Sequence, residues 1–228
     1  MAEGRRRLRI LVTRPRAQAE ELAARLADLG HEPVVCPLIE LEPLSDELLD
    51  CSGYDWVVVT SANAATELAR RSRAPLPKVA AIGPGTAHAL QEQGIEPALV
   101  PAISTQEGLV AEFPRPRGRV LFAGAEGARR HLADELGADF LPLYRTVELR
   151  PKRIPNADLA VLASASAARA LASLSNSVPA VSIGPETSRA ARAEGIEIVE
   201  EALRHDLDGL VEAVARAAVR LPACSSPS

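Results

Sequence analysis

The sequence predicts an α/β protein of two similar doubly wound domains with parallel sheets. Three observations carry that prediction. The stretch "AIGPGTAHALQEQGIE", beginning at Ala81, is largely written again as "SIGPETSRAARAEGIE", beginning at Ser182. From Ile82 to Val110 the copies keep one offset of 101 residues, so Gly83 answers Gly184, Thr86 answers Thr187 and Gly108-Leu109-Val110 answers Gly209-Leu210-Val211. Upstream, "DWVVVTSANAATELA" from Asp55 matches "DLAVLASASAARALA" from Asp158, and "RILVTRPRAQAEELAARL" from Arg9 answers "RVLFAGAEGARRHLADEL" from Arg119. A period of about 100 residues is too long for a solenoid and suits a duplicated domain. Lastly, short apolar runs alternate with stretches of helical spacing, and the runs lack polar alternation, as in strands covered on both faces.

The elements follow in order. "RILVT" (9–13) is a β-branched apolar run. Pro15 then opens a helix with Leu22, Leu26 and Leu29 at helical spacing and Gly30 as its stop. "PVVCP" is extended. "WVVVT" (56–60), "KVAAIG" (78–83) and "PALVP" (97–101) read as strands, each followed by a Ser/Thr/Gly cluster and a helix. The second half repeats the scheme with "RVLFAG", "DFLPL", "LAVLAS", "AVSIG" and "IEIVE". "PLIELEP" (37–43) and "PLYRTVELRP" (142–151), extended and bounded by prolines, read as linkers, without the Gly and Ser of a floppy tether. The end "LPACSSPS" reads as a frayed tail.

Composition narrows the function. With 47% hydrophobic and 25% charged residues the chain of 228 residues can bury a real core. A net charge of −4 and only 3% aromatics offer neither the field nor the stacking platforms of a nucleic-acid binder. The amino-terminal run "RRRLR" reads as a solvated tail; the apolar stretch after it is too short for a signal-peptide core, and no stretch approaches a membrane span. Cys36, Cys51 and Cys224, an odd set without recognisable spacing, fit a reducing compartment. A cytoplasmic protein with neither nucleic-acid nor membrane partners is expected. His31, His88, His131 and His205 lack metal-ligand spacing and read as surface residues, so no metal is expected. "GPGTAH" places His88 where a dinucleotide fingerprint needs glycine, and neither a phosphate-binding G-x-x-x-x-G-K-[ST] nor a G-x-S-x-G elbow occurs.

Ligands of doubly wound sheets bind beyond the carboxyl ends of the strands. The residues there are Thr13-Arg14, Thr60-Ser61-Ala62-Asn63, Gly83-Pro84-Gly85-Thr86, Ser104-Thr105, Ser164-Ala165-Ser166 and Gly184-Pro185-Glu186-Thr187. Each sets a hydroxyl, amide or glycine at a helix amino terminus, where free N–H groups and the dipole attract anions. For any one cluster plain capping is the simpler reading. Their number points to a large, multiply anionic ligand, held in a cleft between the domains, whose chemistry needs shaping more than activation.

In their order, "LVTRP", "YDWVVVTSANAA", "AAIGPGTAHAL", "PLYRT", the doubled "IGPxT" and the late "GLVEAV" resemble the uroporphyrinogen-III synthase family from Ile10 to about Ala217. The resemblance implies two flavodoxin/Rossmann-like domains joined by a two-stranded linker. Residues 1–37 and 150–221 would form a discontinuous first domain and 44–141 the second, with linkers at 38–43 and 142–149 and a frayed tail at 222–228. It implies the closure of hydroxymethylbilane to uroporphyrinogen III, with loss of water and inversion of ring D, in heme or cobalamin biosynthesis. No cofactor is implied, and a monomer is expected. The substrate's eight carboxylates are the polyanion that the strand ends anticipate.

Carried over residue by residue, the family's linker tyrosine is Tyr144, the expected catalytic group that assists departure of the hydroxyl. Arg14, Thr60, Ser61, Asn63, Gly83 and Thr86, with Ser164, Ser166, Gly184 and Thr187, are the expected substrate-binding positions. The chain departs from the family pattern at "VLASAS", at "HDLDGL" and at Glu186, which leaves the roles of Ser164, Glu186 and Asp206 open. The alternative reading is a non-catalytic two-lobed binding protein for a small polyanion.

Overall fold

Apolar runs become strands and the periodic stretches between them become helices. The computed structural model of the protein describes residues 7–73, 75–174 and 178–220; the expected tail at 222–228, Cys224 and the start of the basic run lie outside them. The elements are β1 (Arg9–Val12), α1 (Arg16–Asp28), β2 (Glu32–Val35), β3 (Ile39–Pro43), β4 (Trp56–Val59), α2 (Ala62–Arg71), β5 (Lys78–Ala81), α3 (Pro84–Glu92) and α4 (Gln106–Glu112). They continue with β6 (Val120–Ala125), α5 (His131–Leu136), β7 (Asp139–Glu148), β8 (Leu159–Leu162), α6 (Ala165–Ser173), β9 (Ala180–Ser182), α7 (Pro185–Ala193), β10 (Ile198–Glu201) and α8 (Leu207–Arg220).

The chain divides into two compact units, residues 1–40 with 147–228 and residues 41–146. The first holds the sheet β10-β9-β8-β1-β2, parallel throughout. The second holds β3-β7-β6-β4-β5, in which β4 runs parallel to β5 and β6, and β6 to β7. The segments read as linkers are the paired strands β3 and the later part of β7. Leu44 N donates to Leu143 O and Leu149 N to Leu38 O; the register falls along one strand as it rises along the other, so this pair is antiparallel.

Strand burial follows the uniformly apolar runs. β4 and β8 are buried at every residue. Successive side chains go to opposite faces, so each sheet carries two cores. In the second unit Val57, Val59, Leu121 and Ala123 pack on one face and Trp56, Val58, Val120 and Phe122 on the other. In the first, Ile10, Val12, Leu159 and Val161 oppose Leu11, Ala160 and Leu162. Helix α1 turns its Ala19, Leu22 and Leu26 inward and gives way at Gly30, whose φ of 87° a side chain would strain.

"PALVP" falls short of its expectation. It contributes one bridge, Leu99 with Ala80, supported by Ala81 N to Leu99 O and Ala98 N to Val79 O. Pro97 and Pro101 offer no N–H to lengthen the ladder, whereas the corresponding "IEIVE" segment has no proline and forms β10.

The sequence repeat and the units cut the chain differently. The repeat pairs β1 with β6, β2 with β7, β4 with β8 and β5 with β9. In that correspondence the four matched strands of each unit show one order, 2-1-3-4, as in doubly wound sheets; β10 adds the fifth strand in the first unit, where the second has only the Leu99 bridge and carries β3 beyond β7. Each unit takes its first strand-helix-strand from one half of the repeat and its remainder from the other. The junction is fixed the same way twice. Asp158 Oδ2 accepts from Arg9 N at 2.7 Å while Asp158 N donates to Arg9 O. Asp55 Oδ2 accepts from Arg119 N at 2.8 Å while Asp55 N donates to Arg119 O.

Candidate active site

At the carboxyl edge of the second unit's sheet, Thr60, half-buried, follows the end of β4, and Ser61 caps α2. Ser61 is extended, with φ −159° and ψ 154°, and its Oγ accepts from Ala64 N at 3.1 Å. Tyr144 reaches the same place from β7 because the register against β6 shifts between Gly124 and Ala125, whose partners are Pro142 and Tyr144. Strict alternation would send Leu143 and Tyr144 to opposite faces, and the irregularity lets both enter one core. The Tyr144 and Ser61 hydroxyls stand 3.0 Å apart, and the Asn63 side chain is a second partner of the phenol.

Burial raises the phenol's pKa above its ordinary value, opposed by the hydrogen bonds of Ser61 and Asn63, which lower it. Tyr144 is only 7% exposed. A neutral phenol, aimed by two polar side chains, is therefore present at pH 7 and can donate a proton.

On the neighbouring strand end, Gly83 caps α3, Pro84 fills the first helical position and Thr86 is buried in the first turn. The first unit repeats this with Gly184, Pro185 and Thr187 at α7. Neither Thr86 nor Thr187 directs its hydroxyl to a hydrogen-bond partner among the described residues. Ser164 caps α6, accepting from Ala167 N at 3.1 Å, and Ser166 Oγ accepts from Arg169 Nη2 at 3.4 Å. Glu186 is ion-paired with Arg189, which offsets the negative charge it brings to the turn. Asp206 Oδ1 accepts from Gly209 N, a cap of α8. Arg14, half-buried, donates from Nη2 to Gln18 Oε1 at 3.1 Å. Burial lowers its pKa and the charge of Glu21 opposes the shift. Thr13, beside it, is spent on the fold, donating to Val161 O at 2.7 Å.

Of the expected residues, then, Tyr144, Ser61 and Asn63 form one hydrogen-bonded group, with Thr60, Gly83 and Thr86 on the same sheet edge. Arg14, Ser164, Ser166, Gly184 and Thr187 lie on adjacent strand ends of the other unit. The histidines divide against expectation. His88 and His131 are within 3.4 Å and 3.9 Å of Glu92 and Glu107, but His31 is buried, and its Nδ1 accepts from Leu8 N at 3.3 Å.

Sequence reading named Ser104 at a strand end but passed over two features of these edges, the packing of side chains on the turn glycines and a polar trio. A methyl group on Gly83 would lie 2.5 Å from Ser104 Oγ, and one on Gly184 would lie 2.9 Å from His205 Cδ2. Ser104 and His205 stand at the repeat's own offset, a signal available in the sequence. In the first unit Ser182 and Ser188 share a hydrogen bond of 2.6 Å and Ser188 donates to Glu201, where the repeat places Ala81, Ala87 and Val100 in the second. Two cavities of the second unit lie away from its carboxyl edge. One of about 180 Å³ is lined by Cys51, Tyr54, Leu121 and Asp139, and one of about 370 Å³ by Ser72, Pro77, Gln93 and Glu96. Among the described residues no helix is long and apolar enough to cross a membrane.

Comparison with known proteins agrees with the doubled α/β fold. The family profile HEM4, uroporphyrinogen-III synthase HemD, matches residues 20–212. The uroporphyrinogen-III synthase of Synechococcus elongatus is 27% identical over 90% of this chain and 93% of its own. A relative from Methanocaldococcus jannaschii is 27% identical over 62% of this chain, a match that spans 63% of that protein. In fold, a crystal structure of a mutant uroporphyrinogen III synthase from the extremely thermophilic bacterium Thermus thermophilus superposes with a TM-score of 0.62 at 18% identity, covering 94% of this chain and all of that one. With a family profile spanning most of its length, a doubled α/β fold and the tyrosine of its "PLYRT" motif held beside Ser61, the chain belongs to the uroporphyrinogen-III synthase family, cyclising enzymes of the lyase type.

Proposed function

We propose that the protein closes hydroxymethylbilane to uroporphyrinogen III, with Tyr144 as the general acid. The phenol donates its proton to the departing hydroxyl, which leaves as water. Ring D then attacks the freed methylene through its substituted carbon; the bond from that carbon to the ring C methylene breaks and re-forms at ring D's unsubstituted α-carbon, whose proton is lost, and the ring is thereby inverted. The supporting observation is the buried, neutral Tyr144 hydroxyl beside Ser61 and Asn63. Substrate carboxylates are assigned to Arg14 and to the strand-end donors: Thr60, Ser61, Asn63, Gly83 and Thr86 in one unit, Ser164, Ser166, Gly184 and Thr187 in the other. Support for the threonines is that their hydroxyls make no hydrogen bond among the described residues. Ser61 and Ser164 already cap helices, so their share of binding falls to the capped N–H groups around them. The reading includes a monomer in the cytoplasm, in keeping with the unpaired Cys36 and Cys51; light scattering tests the first and fractionation the second.

Freshly generated hydroxymethylbilane should go mainly to isomer III, separated by chromatography of the oxidised products. Tyr144→Phe, which keeps the ring in its core, should slow the conversion by about one to three orders of magnitude. An isomer I excess equal to the enzyme-free control would overturn the synthase reading. A fully active Tyr144→Phe would remove the tyrosine from it.

A further inference from the structure

The loops that follow the last strand position of each unit carry the residues Ser104 and His205. Each lies against the glycine that opens the "IGP" turn. A methyl group on Gly184 would meet three atoms of the His205 ring, Cδ2 at 2.9 Å, Nε2 at 3.1 Å and Cγ at 3.2 Å. One on Gly83 would meet Ser104 Oγ at 2.5 Å and Cβ at 2.8 Å. Both glycines have φ near 180°, so no backbone strain requires them. What requires them is room for the side chain above.

The loops are fixed from below as well. Thr105 Oγ1 accepts from Gly108 N at 3.0 Å and Asp206 Oδ1 from Gly209 N at 2.7 Å. A methyl group on Gly108 would come within 2.2 Å of Ile103 O, and one on Gly209 within 2.1 Å of Arg204 O. Four glycines at two matched pairs of positions thus hold one polar side chain over each turn. His205 is nonetheless exposed, and it makes no hydrogen bond or ion pair among the described residues. The charged groups of the neighbourhood are engaged elsewhere, Glu186 with Arg189, Arg204 with Glu212, and Asp206 with the α8 cap. In the first turn of the helix that Gly184 caps, Thr187 is only 4% exposed, and its hydroxyl makes no hydrogen bond among the described residues.

We propose that His205 is a substrate-binding residue that donates an imidazole N–H to a substrate carboxylate at the turn 184–187, and that Ser104 does the same over Gly83. This rests on the assignment of carboxylates to those turns. It assigns the two loops a contact with substrate, and it makes the units unequal, since one offers an imidazole where the other offers a hydroxyl.

Steady-state kinetics of the full chain with hydroxymethylbilane test it. His205→Ala should raise KM about tenfold or more, the range of a hydrogen bond to a charged group, while kcat changes far less. His205→Asn keeps an N–H donor and should recover most of the affinity, which a purely packing role would not produce. Thermal melting of each variant keeps folding separate from binding. An unchanged KM in His205→Ala overturns the proposal. Thr187→Ala, run in parallel, locates the failure. If it raises KM, the turn binds substrate without the histidine; if it too is silent, the carboxylate assignment fails with it.

Discussion

A phenol serves as an acid only while it keeps its proton, so the environment of Tyr144 decides its use. Burial raises its pKa more than the Ser61 and Asn63 hydrogen bonds lower it, so activity that depends on the protonated form should hold through neutral pH and fall only as pH rises through the raised value. The same shift affects stability. The folded pKa lies above the unfolded one of about 10, so the folded state binds the proton more tightly. That contribution is complete below the unfolded pKa and is lost as pH rises through the folded one. Urea midpoints of the wild type should therefore decline at alkaline pH more steeply than those of Tyr144→Phe; parallel curves would mean that the phenol is not shielded. The motif placed Tyr144 in the sequence. Its partners could not be read there, because the register shift that turns Leu143 and Tyr144 to one face depends on how β7 meets β6.

Helix starts were legible because their chemistry is local. Ser61, Thr105 and Ser164 all cap the helices that follow them. For Ser164 the cap is a sufficient role: Ser164→Ala should cost about 0.5–2 kcal/mol of stability, and Ser164→Gly only a few tenths, with the change in turnover no larger than the stability loss explains. A turnover defect shared by both variants at full stability would assign the hydroxyl to substrate instead. The polar trio of the first unit was not legible, because each member is unremarkable until β9, α7 and β10 bring them together. Ser188 bridges Ser182 to Glu201, so Ser188→Ala leaves a buried hydroxyl and a carboxylate without that partner and should cost about 1–3 kcal/mol. Replacing all three by the sister unit's residues, Ser182→Ala, Ser188→Ala and Glu201→Val, should cost less than the single change, since no orphaned polar group remains. Denaturant midpoints decide, and additive losses would show that the trio does not act as a unit.

At the scale of the molecule, the repeat revealed two domains but not how the halves are shared between them. Asp55 and Asp158 make the same clamp, and Arg9 and Arg119 answer each other in the repeat, so backbone chemistry alone would let either half close on itself. Core volume opposes that. β6 offers Phe122, fully buried and edge-on to Phe140 at 5.1 Å between ring centroids, where β1 has Val12 at the aligned position. Trp56, the chain's single tryptophan, lies opposite Val120 in the β4–β6 register and 5.0 Å from Phe113, which makes it the reporter. A fragment of residues 41–146 keeps β4, β5, β6 and β7 together and should unfold in urea as one cooperative transition seen by Trp56. A fragment of residues 1–117 contains Trp56 and Phe113 but lacks β6. It can complete a sheet only by setting β1 in that place, which puts Val12 where Phe122 belongs and leaves much of that volume unfilled, a defect of up to about 3–5 kcal/mol by analogy with Phe→Ala in a core. Against a typical domain stability of about 5–15 kcal/mol, its transition should be shifted far to low urea or be absent. Equal midpoints for the two fragments would show that the halves are interchangeable and that core volume does not select the observed exchange.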